Sequence, residues 1–407
     1  MRLDRPRLDR AKVAVGFTFA MNGLAYAGWL ARAPAARNDL DLSAAGFGLL
    51  LLCLSVAAIA TIPLAGPLVQ RVGPARAVFL GSASVVLGLL ALATGTAIGS
   101  VLLAGFGLVL AGMGNSTWDV AMNVEGADVE RRLGRTVMPR FHAGFSLGTV
   151  VGAGFSASLA ALGVSLAAQL YLTAVATAAV MVVMVRRFLP YTALPAAERR
   201  SISALQAWKN PRTLLIGLIM LGFGFTEGAA NNWFAISLVD GYHASETVGA
   251  IGFGTFVTAM TLSRMFGGVA IERWGRVIVL RLTAASAAVG LLLVAVDVGV
   301  PLALLGAILW GAGASLGFPI GMSSAADDPV RAAVNVSVAG AIGYGAFIAG
   351  PPLIGILAQH FGVLRAILCV FGAIAIGLFA SGAARPLPAE APARPAAPTG
   401  SGRRGSR

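Results

Sequence analysis

Residues 66–76 read Gly66-Pro67-Leu68-Val69-Gln70-Arg71-Val72-Gly73-Pro74-Ala75-Arg76, and residues 268–276 read Gly268-Val269-Ala270-Ile271-Glu272-Arg273-Trp274-Gly275-Arg276. Gly66, Arg71 and Gly73 map onto Gly268, Arg273 and Gly275 with a single offset of 202 residues. The same offset relates Gly148, in GFSLGTVVGAG, to Gly350, in AFIAGPPLIG. Two separate places sharing one spacing point to an internal duplication, even in a chain with 52 glycines. The chain reads as two equivalent halves.

What surrounds these stretches is apolar. Of 407 residues, 57% are hydrophobic and 12% are charged, against about 45–50% and about 25% in an ordinary soluble domain. The apolar residues fall in blocks long enough to cross a bilayer core, for which about 20 helical residues are needed. A soluble enzyme, a collagen-like chain and a disordered chain are excluded. The fold predicted is an all-α membrane protein with twelve spans, at 11–31, 44–69, 76–95, 99–124, 138–161, 165–185, 212–238, 246–271, 277–297, 301–325, 330–358 and 362–383. They group as a six-helix bundle over 1–185, a cytoplasmic linker over 186–211 and a second six-helix bundle over 212–383. Residues 384–407, rich in Pro, Ala and Gly, have no apolar face to bury and read as a disordered tail. The basic N-terminus leads into a run too long for a cleaved signal, so span 1 is expected to remain.

The formal charge is +13, but the basic residues lie in loops rather than on one face, which argues against a nucleic-acid partner. All but three of the 30 Lys and Arg residues fall on the side of the termini, the exceptions being Arg32, Arg37 and Arg365. The positive-inside rule then predicts both termini in the cytoplasm of a bacterial inner membrane. Cys53 and Cys369 lie in apolar blocks and form no disulfide framework.

The two loops resemble the signature G-x-L-x-D-R-x-G-R of the major facilitator superfamily, found between the second and third helices of each half. The second copy keeps an acid at Glu272, whereas Gln70 and Pro74 depart from the pattern in the first. DVAMNVEGADVE, FHAGFSLGTVVGAG, EGAANNW and WGAGASLGFP, in spans 4, 5, 7 and 10, resemble the YbjJ-like branch, which is similar to the fucose permease group. The resemblance implies the major facilitator fold. It also implies a cytoplasmic lock between the halves, with Gly66, Arg71, Gly73, Arg76, Gly268, Glu272, Arg273, Gly275 and Arg276 as its residues here.

Ionisable and amide groups inside a bilayer are expensive unless paired or hydrated. Asn115, Asp119 and Asn123 recur at helical spacing and form one polar stripe on span 4. The fucose-permease resemblance gives Asp119 a part in proton-coupled sugar binding; the alternative is an acid satisfied by a neighbouring arginine. Glu227, near the middle of span 7, is followed by Asn231, Asn232 and Trp233, and span 1 carries Asn22 and Trp29 at comparable depth. Amides and flat aromatic faces suit a sugar-like ligand, and a midplane acid suits proton uptake and release. A structural glutamate bonded to Asn231 is the competing reading. Tyr344 and Trp310 are candidate cavity residues or packing. His142 is read as bonded to a neighbouring helix, and Arg264 and Arg140 as cytoplasmic-end side chains that snorkel or join the lock. Glu125, Asp128 and Glu130, with Arg131, Arg132 and Arg135, read as a solvated loop in which Glu125 pairs with a lock arginine.

No Walker-type phosphate loop, metal-ligand cluster, nucleophile–base set or cofactor motif occurs. The expectation is a monomeric, non-enzymatic secondary transporter that binds a small polar solute and protons. Import of a sugar-like solute leads, and proton-driven efflux of a drug or metabolite follows, although Thr149 stands where many such antiporters carry proline. A non-transporting membrane sensor or scaffold is the alternative of another class.

Overall fold

The computed structural model describes residues 5–42, 44–191, 204–244 and 246–387. These form helices and their connections, with no strand among them. Spans 1–6 are Arg5–Leu30, Ala44–Val72, Pro74–Ala97, Val101–Leu133, Met138–Ala161 and Leu166–Met184. Spans 7–9 are Pro211–Ile236, Glu246–Trp274 and Arg276–Ala295. Span 10 is broken into Val300–Ala314 and Gly317–Ala325, span 11 is Ala332–Phe361, and span 12 runs Val363–Ala384 with a 3-10 turn within it. Eleven of these are long and apolar enough to cross a membrane. The twelfth, Glu246–Trp274, has Arg264 inside its apolar run, which places the charge where lipid cannot solvate it. Residues 192–203 of the linker and 388–407 of the tail expected at 384–407 lie outside the described residues.

Local chemistry starts and stops the helices. Ser100, Ser165 and Asn210 accept N–H bonds at the first turns of spans 4, 6 and 7, satisfying donors that the helix itself leaves open. Gly73 and Gly275 adopt φ of +84° and +78°, a conformation a side chain disfavours. They turn span 2 into span 3 and span 8 into span 9. The repeat seen in the sequence is thus a repeat of turns.

Within each bundle, glycine lets the backbones touch. A Cβ at Gly88 would stand 2.6 Å from the Gly107 carbonyl, and one at Gly290 would stand 2.6 Å from the Gly306 carbonyl, so spans 3 and 4 pack as spans 9 and 10 do. Spans 1 and 5 meet the same way at Gly148, where a Cβ would overlap the Ala20 carbonyl.

The bundles meet along a seam of span 2 on span 11 and span 5 on span 8, with spans 4 and 10 between. At the end carrying loops 2–3, 4–5, 8–9 and 10–11, hereafter the basic end, Glu272 accepts the Thr136 N–H at 2.7 Å. There also the Ser337 hydroxyl donates to the Ile62 carbonyl, and the Ser323 hydroxyl donates to Glu130. Further along lie Arg264–Ser146 and, deepest, Tyr344–Asp119. Among the described residues, no hydrogen bond joins the halves beyond that depth toward the opposite end.

Two sequence expectations are corrected here. Span 4 continues as helix to Leu133, so Glu125 is no solvated loop residue; it is 2% exposed. Among the described residues it pairs with no arginine and instead accepts the Leu189 N–H at 2.7 Å, closing the end of span 6. Arg264 does not snorkel to a cytoplasmic end: it is 4% exposed within the bundle, because ligands for all its nitrogens converge there.

Candidate functional site

Asp119 sits on the face of span 4 that meets span 11. The Tyr344 hydroxyl donates to its Oδ2 at 2.8 Å. Asn123, one turn on, donates to Oδ1 at 3.3 Å and to the Asp119 carbonyl at 2.9 Å. The Asn123 Oδ1 lies 3.2 Å from His142 Nε2 on span 5, a helix-to-helix bond of the kind the sequence suggested for His142. Among the described residues no cation reaches Asp119. It has donors but no counter-charge.

Glu227 is built differently. Its Oε2 lies 2.7 Å from Arg264 Nη2. Arg264 Nε donates to the Ser315 carbonyl at 3.0 Å, where span 10 breaks and leaves that carbonyl available, and Nη1 donates to Ser146 Oγ at 2.7 Å. Ser146 in turn donates to the His142 carbonyl at 3.2 Å. The two acids therefore belong to one network, Glu227–Arg264–Ser146–His142–Asn123–Asp119–Tyr344, which crosses from one half to the other twice. Phe318 packs between two of its members, with its ring centre 6.4 Å from His142 and 5.3 Å from Tyr344.

The remaining candidates fall in three places. Asn22 donates to Asn115 at 3.0 Å, and both, with Trp29, line a cavity of about 30 Å³ between spans 1–4. Asn231 is exposed and has no side-chain hydrogen bond to Glu227 among the described residues; Asn232 turns back to the Gly228 carbonyl at 2.7 Å. Trp233 packs beside Gly355, and its Nε1 is buried without an acceptor among the described residues. Trp310 is core, since it is fully buried with Nε1 bonded to the Thr226 carbonyl at 3.0 Å.

The signature residues are split between the seam and the turns. Cβ atoms at Gly66 and Gly268 would each stand 2.6 Å from a carbonyl of the other half, those of Ala333 and Thr136. Glu272 spans the seam through the Thr136 N–H. The four signature arginines do not cross it among the described residues, although Arg140 Nε donates across it to the Met265 carbonyl at 3.4 Å. Arg71 and Arg76 are exposed with no partner among the described residues. Arg273 lies over Trp274 at 5.9 Å, and Arg276 pairs with Asp327 at 2.8 Å inside its own half. Where Gln70 stands in place of an acid, its Nε2 is buried without an acceptor among the described residues. Glu130 supplies the crossing bond in that half: it accepts the Val137 and Met138 N–H groups, at 2.8 and 2.7 Å, and the Ser323 hydroxyl.

Sequence reasoning missed Arg264 and Ser146 as site residues. An arginine inside an apolar run, seven residues short of the expected end of span 8 at 271, was the available signal for the first. Ser146 carries none, because a serine among glycines reads as small packing volume.

Residues 216–404 match the model of the Major Facilitator Superfamily. An uncharacterized transporter of Sinorhizobium fredii is 32% identical, over 91% of this chain and 94% of its own length. An uncharacterized MFS-type transporter of Yersinia pestis is 32% identical, over 90% and 92%. In structure the chain is similar to FucP, the E. coli fucose:proton symporter, in its outward conformation. That likeness has TM-score 0.77 and 14% identity, and covers 92% of this chain and 98% of FucP.

Proposed function

The chain belongs to the major facilitator superfamily, and from that premise we propose that it is a proton-coupled importer of a small polar, sugar-like solute. It is a transporter in a membrane and not an enzyme. The proposed orientation follows the positive-inside rule, with the basic end and both termini in the cytoplasm. A seam closed at that end then makes this the outward-facing state of an alternating-access cycle.

One observation carries the coupling: the two acids of the network, buried Asp119 and half-buried Glu227, are balanced differently. Glu227 already holds a counter-ion at 2.7 Å in Arg264. Asp119, with Tyr344 and Asn123 as donors, holds none. Taking the halves apart requires breaking Tyr344–Asp119, and the charge on Asp119 decides how costly that step is in low dielectric. Asp119 is accordingly the acid that loads and releases the proton. Glu227 fixes Arg264, and through it Ser146, at the seam. Asn22, Trp29 and Asn115 offer amide and aromatic contacts to the solute from the first half, and Asn231, Asn232 and Trp233 from the second.

The test is flux in sealed proteoliposomes with a panel of labelled monosaccharides and polyols. Uptake driven by an inwardly directed proton gradient, lost on dissipating the gradient, supports the proposal. Asp119→Asn leaves one oxygen to accept from Asn123 and an N–H to donate to the Tyr344 hydroxyl, and it removes the titration, so it should retain counterflow and lose gradient-driven accumulation. Gradient-independent flux in the unaltered protein would overturn coupling. Proton-driven extrusion would transfer the protein to the efflux reading, and a protein that moves no solute would be a sensor or scaffold.

A further inference from the structure

Each half buries a tryptophan completely, and the two are treated differently. In the second half Trp310 Nε1 is satisfied by the Thr226 carbonyl. In the first half Trp118 is 0% exposed and its Nε1 has no acceptor among the described residues. A buried N–H left unpaired is destabilising by about 1–3 kcal/mol, and native structures rarely tolerate one without a reason. Trp118 also lines the cavity between spans 1–4, together with Asn22, Tyr26, Trp29 and Asn115. The same lining carries the Asn22–Asn115 amide pair, with Asn115 one turn before Trp118 on span 4; the Asn22 Oδ1 and the Asn115 Nδ2 make no hydrogen bond in the described residues. Asn22 is 3% exposed, but Asn115 is half-buried. A half-exposed amide inside a membrane span borders water rather than lipid, so the pocket opens at Asn115.

A cavity needs roughly 10–15 Å³ to hold a single water, and this one has about 30 Å³. It is too small for a sugar ring and large enough for one hydroxymethyl group. Its walls pair a donor-only indole with amides that both donate and accept, and flank them with the flat apolar face of Trp29. A hydroxyl oxygen matches that set: it accepts from the indole and donates to an amide oxygen. A carboxylate cannot donate and an ammonium cannot accept.

We infer that this pocket is a hydroxyl-recognition site, in which Trp118 is the anchoring donor for the terminal hydroxyl of the transported solute. The assignment rests on the transport reading, and it adds a residue and a ligand group to it. The solute enters with a primary alcohol leading into the first half and its remainder facing the network around Asp119.

The probe is ethane-1,2-diol, added to the full-length protein in detergent with its six tryptophans labelled at the indole nitrogen. The Trp118 and Trp310 resonances are assigned by their loss in Trp118→Phe and Trp310→Phe. The expected result is a saturable shift of the Trp118 resonance with Trp310 unmoved. Trp118→Phe and, separately, Asn115→Ala should each weaken diol binding about fivefold, the loss of one hydrogen bond, so the test survives if one variant fails to fold. A Trp118 resonance that the diol does not move, whether because a resident water satisfies it or because nothing enters, overturns the inference. Its failure and that of the transport reading are distinguishable. A saturable shift in a protein whose vesicles carry no sugar leaves the pocket and removes the sugar transporter. Sugar flux with an unresponsive Trp118 does the reverse.

Discussion

A guanidinium among membrane helices is tolerated while each charge and donor around it is matched, and Arg264 meets that condition through Glu227, Ser146 and the Ser315 carbonyl. Removing one partner of a buried ion pair is far worse than removing both, because the survivor keeps its desolvation cost. Arg264→Gln is therefore expected to lower unfolding stability by about 3–5 kcal/mol, and Arg264→Gln/Glu227→Gln to recover most of that loss. Thermal unfolding of the single and double variants in one detergent measures the coupling; additive losses would mean the pair is not an energetic unit. None of this was visible along the chain. Arg264 and Glu227 are 37 residues apart and on different helices, and a long side chain in an apolar run reads equally well as one that snorkels. Asp119 was more legible, because Asn115 and Asn123 share its helix face and a three-residue polar stripe has no reason to face lipid.

At the scale of the helix, glycine does two different jobs, and substitution separates them. Gly88 and Gly290 bring neighbouring helices of one bundle into backbone contact, whereas Gly66 and Gly268 do so across the seam. Gly88→Val and Gly290→Val are expected to destabilise the protein by about 1–3 kcal/mol without favouring either state. Gly66→Leu places its penalty only on the state with the basic end closed, because its side chain would meet the Ala333 carbonyl and Ser337. A shift of about 1.4 kcal/mol is tenfold in population. Labelling of an introduced Ala143→Cys, on span 5 and buried, by an impermeant maleimide from the basic end should thus accelerate about tenfold in Gly66→Leu and not in Gly88→Val. Equal rates in both backgrounds would remove the distinction. The repeat of Gly66 and Gly268 was legible as one offset, because a backbone approach admits one residue type. The partners were not, since a main-chain carbonyl leaves no mark on the sequence.

Twelve spans were legible from apolar runs because bilayer thickness sets helix length, and the duplication gave their grouping. What the runs do not encode is which end of the bundle is closed, because that depends on contacts between halves distant in the chain. The seam has its bonds at the basic end and none past Asp119–Tyr344 in the described residues, the pattern of a molecule rocked to one side. A covalent tie placed in that seam should hold it there. An ideal Cβ at position 66 stands 2.8 Å from the Ser337 Cβ and 2.6 Å from the Ala333 carbonyl, closer than the roughly 3.5–4.5 Å between the Cβ atoms of a disulfide, so spans 2 and 11 must ease apart by about an ångström as the pair forms. In a background with Cys53 and Cys369 replaced by Ala, Gly66→Cys/Ser337→Cys should cross-link under mild oxidant and lose transport. Reduction should restore it. Solute binding from the opposite side should persist in the cross-linked form, since that side stays open, and this is the decisive arm. Transport that continues through an intact cross-link would mean that the halves need not part at the basic end, and rocking about a central site would then be the wrong description of this molecule.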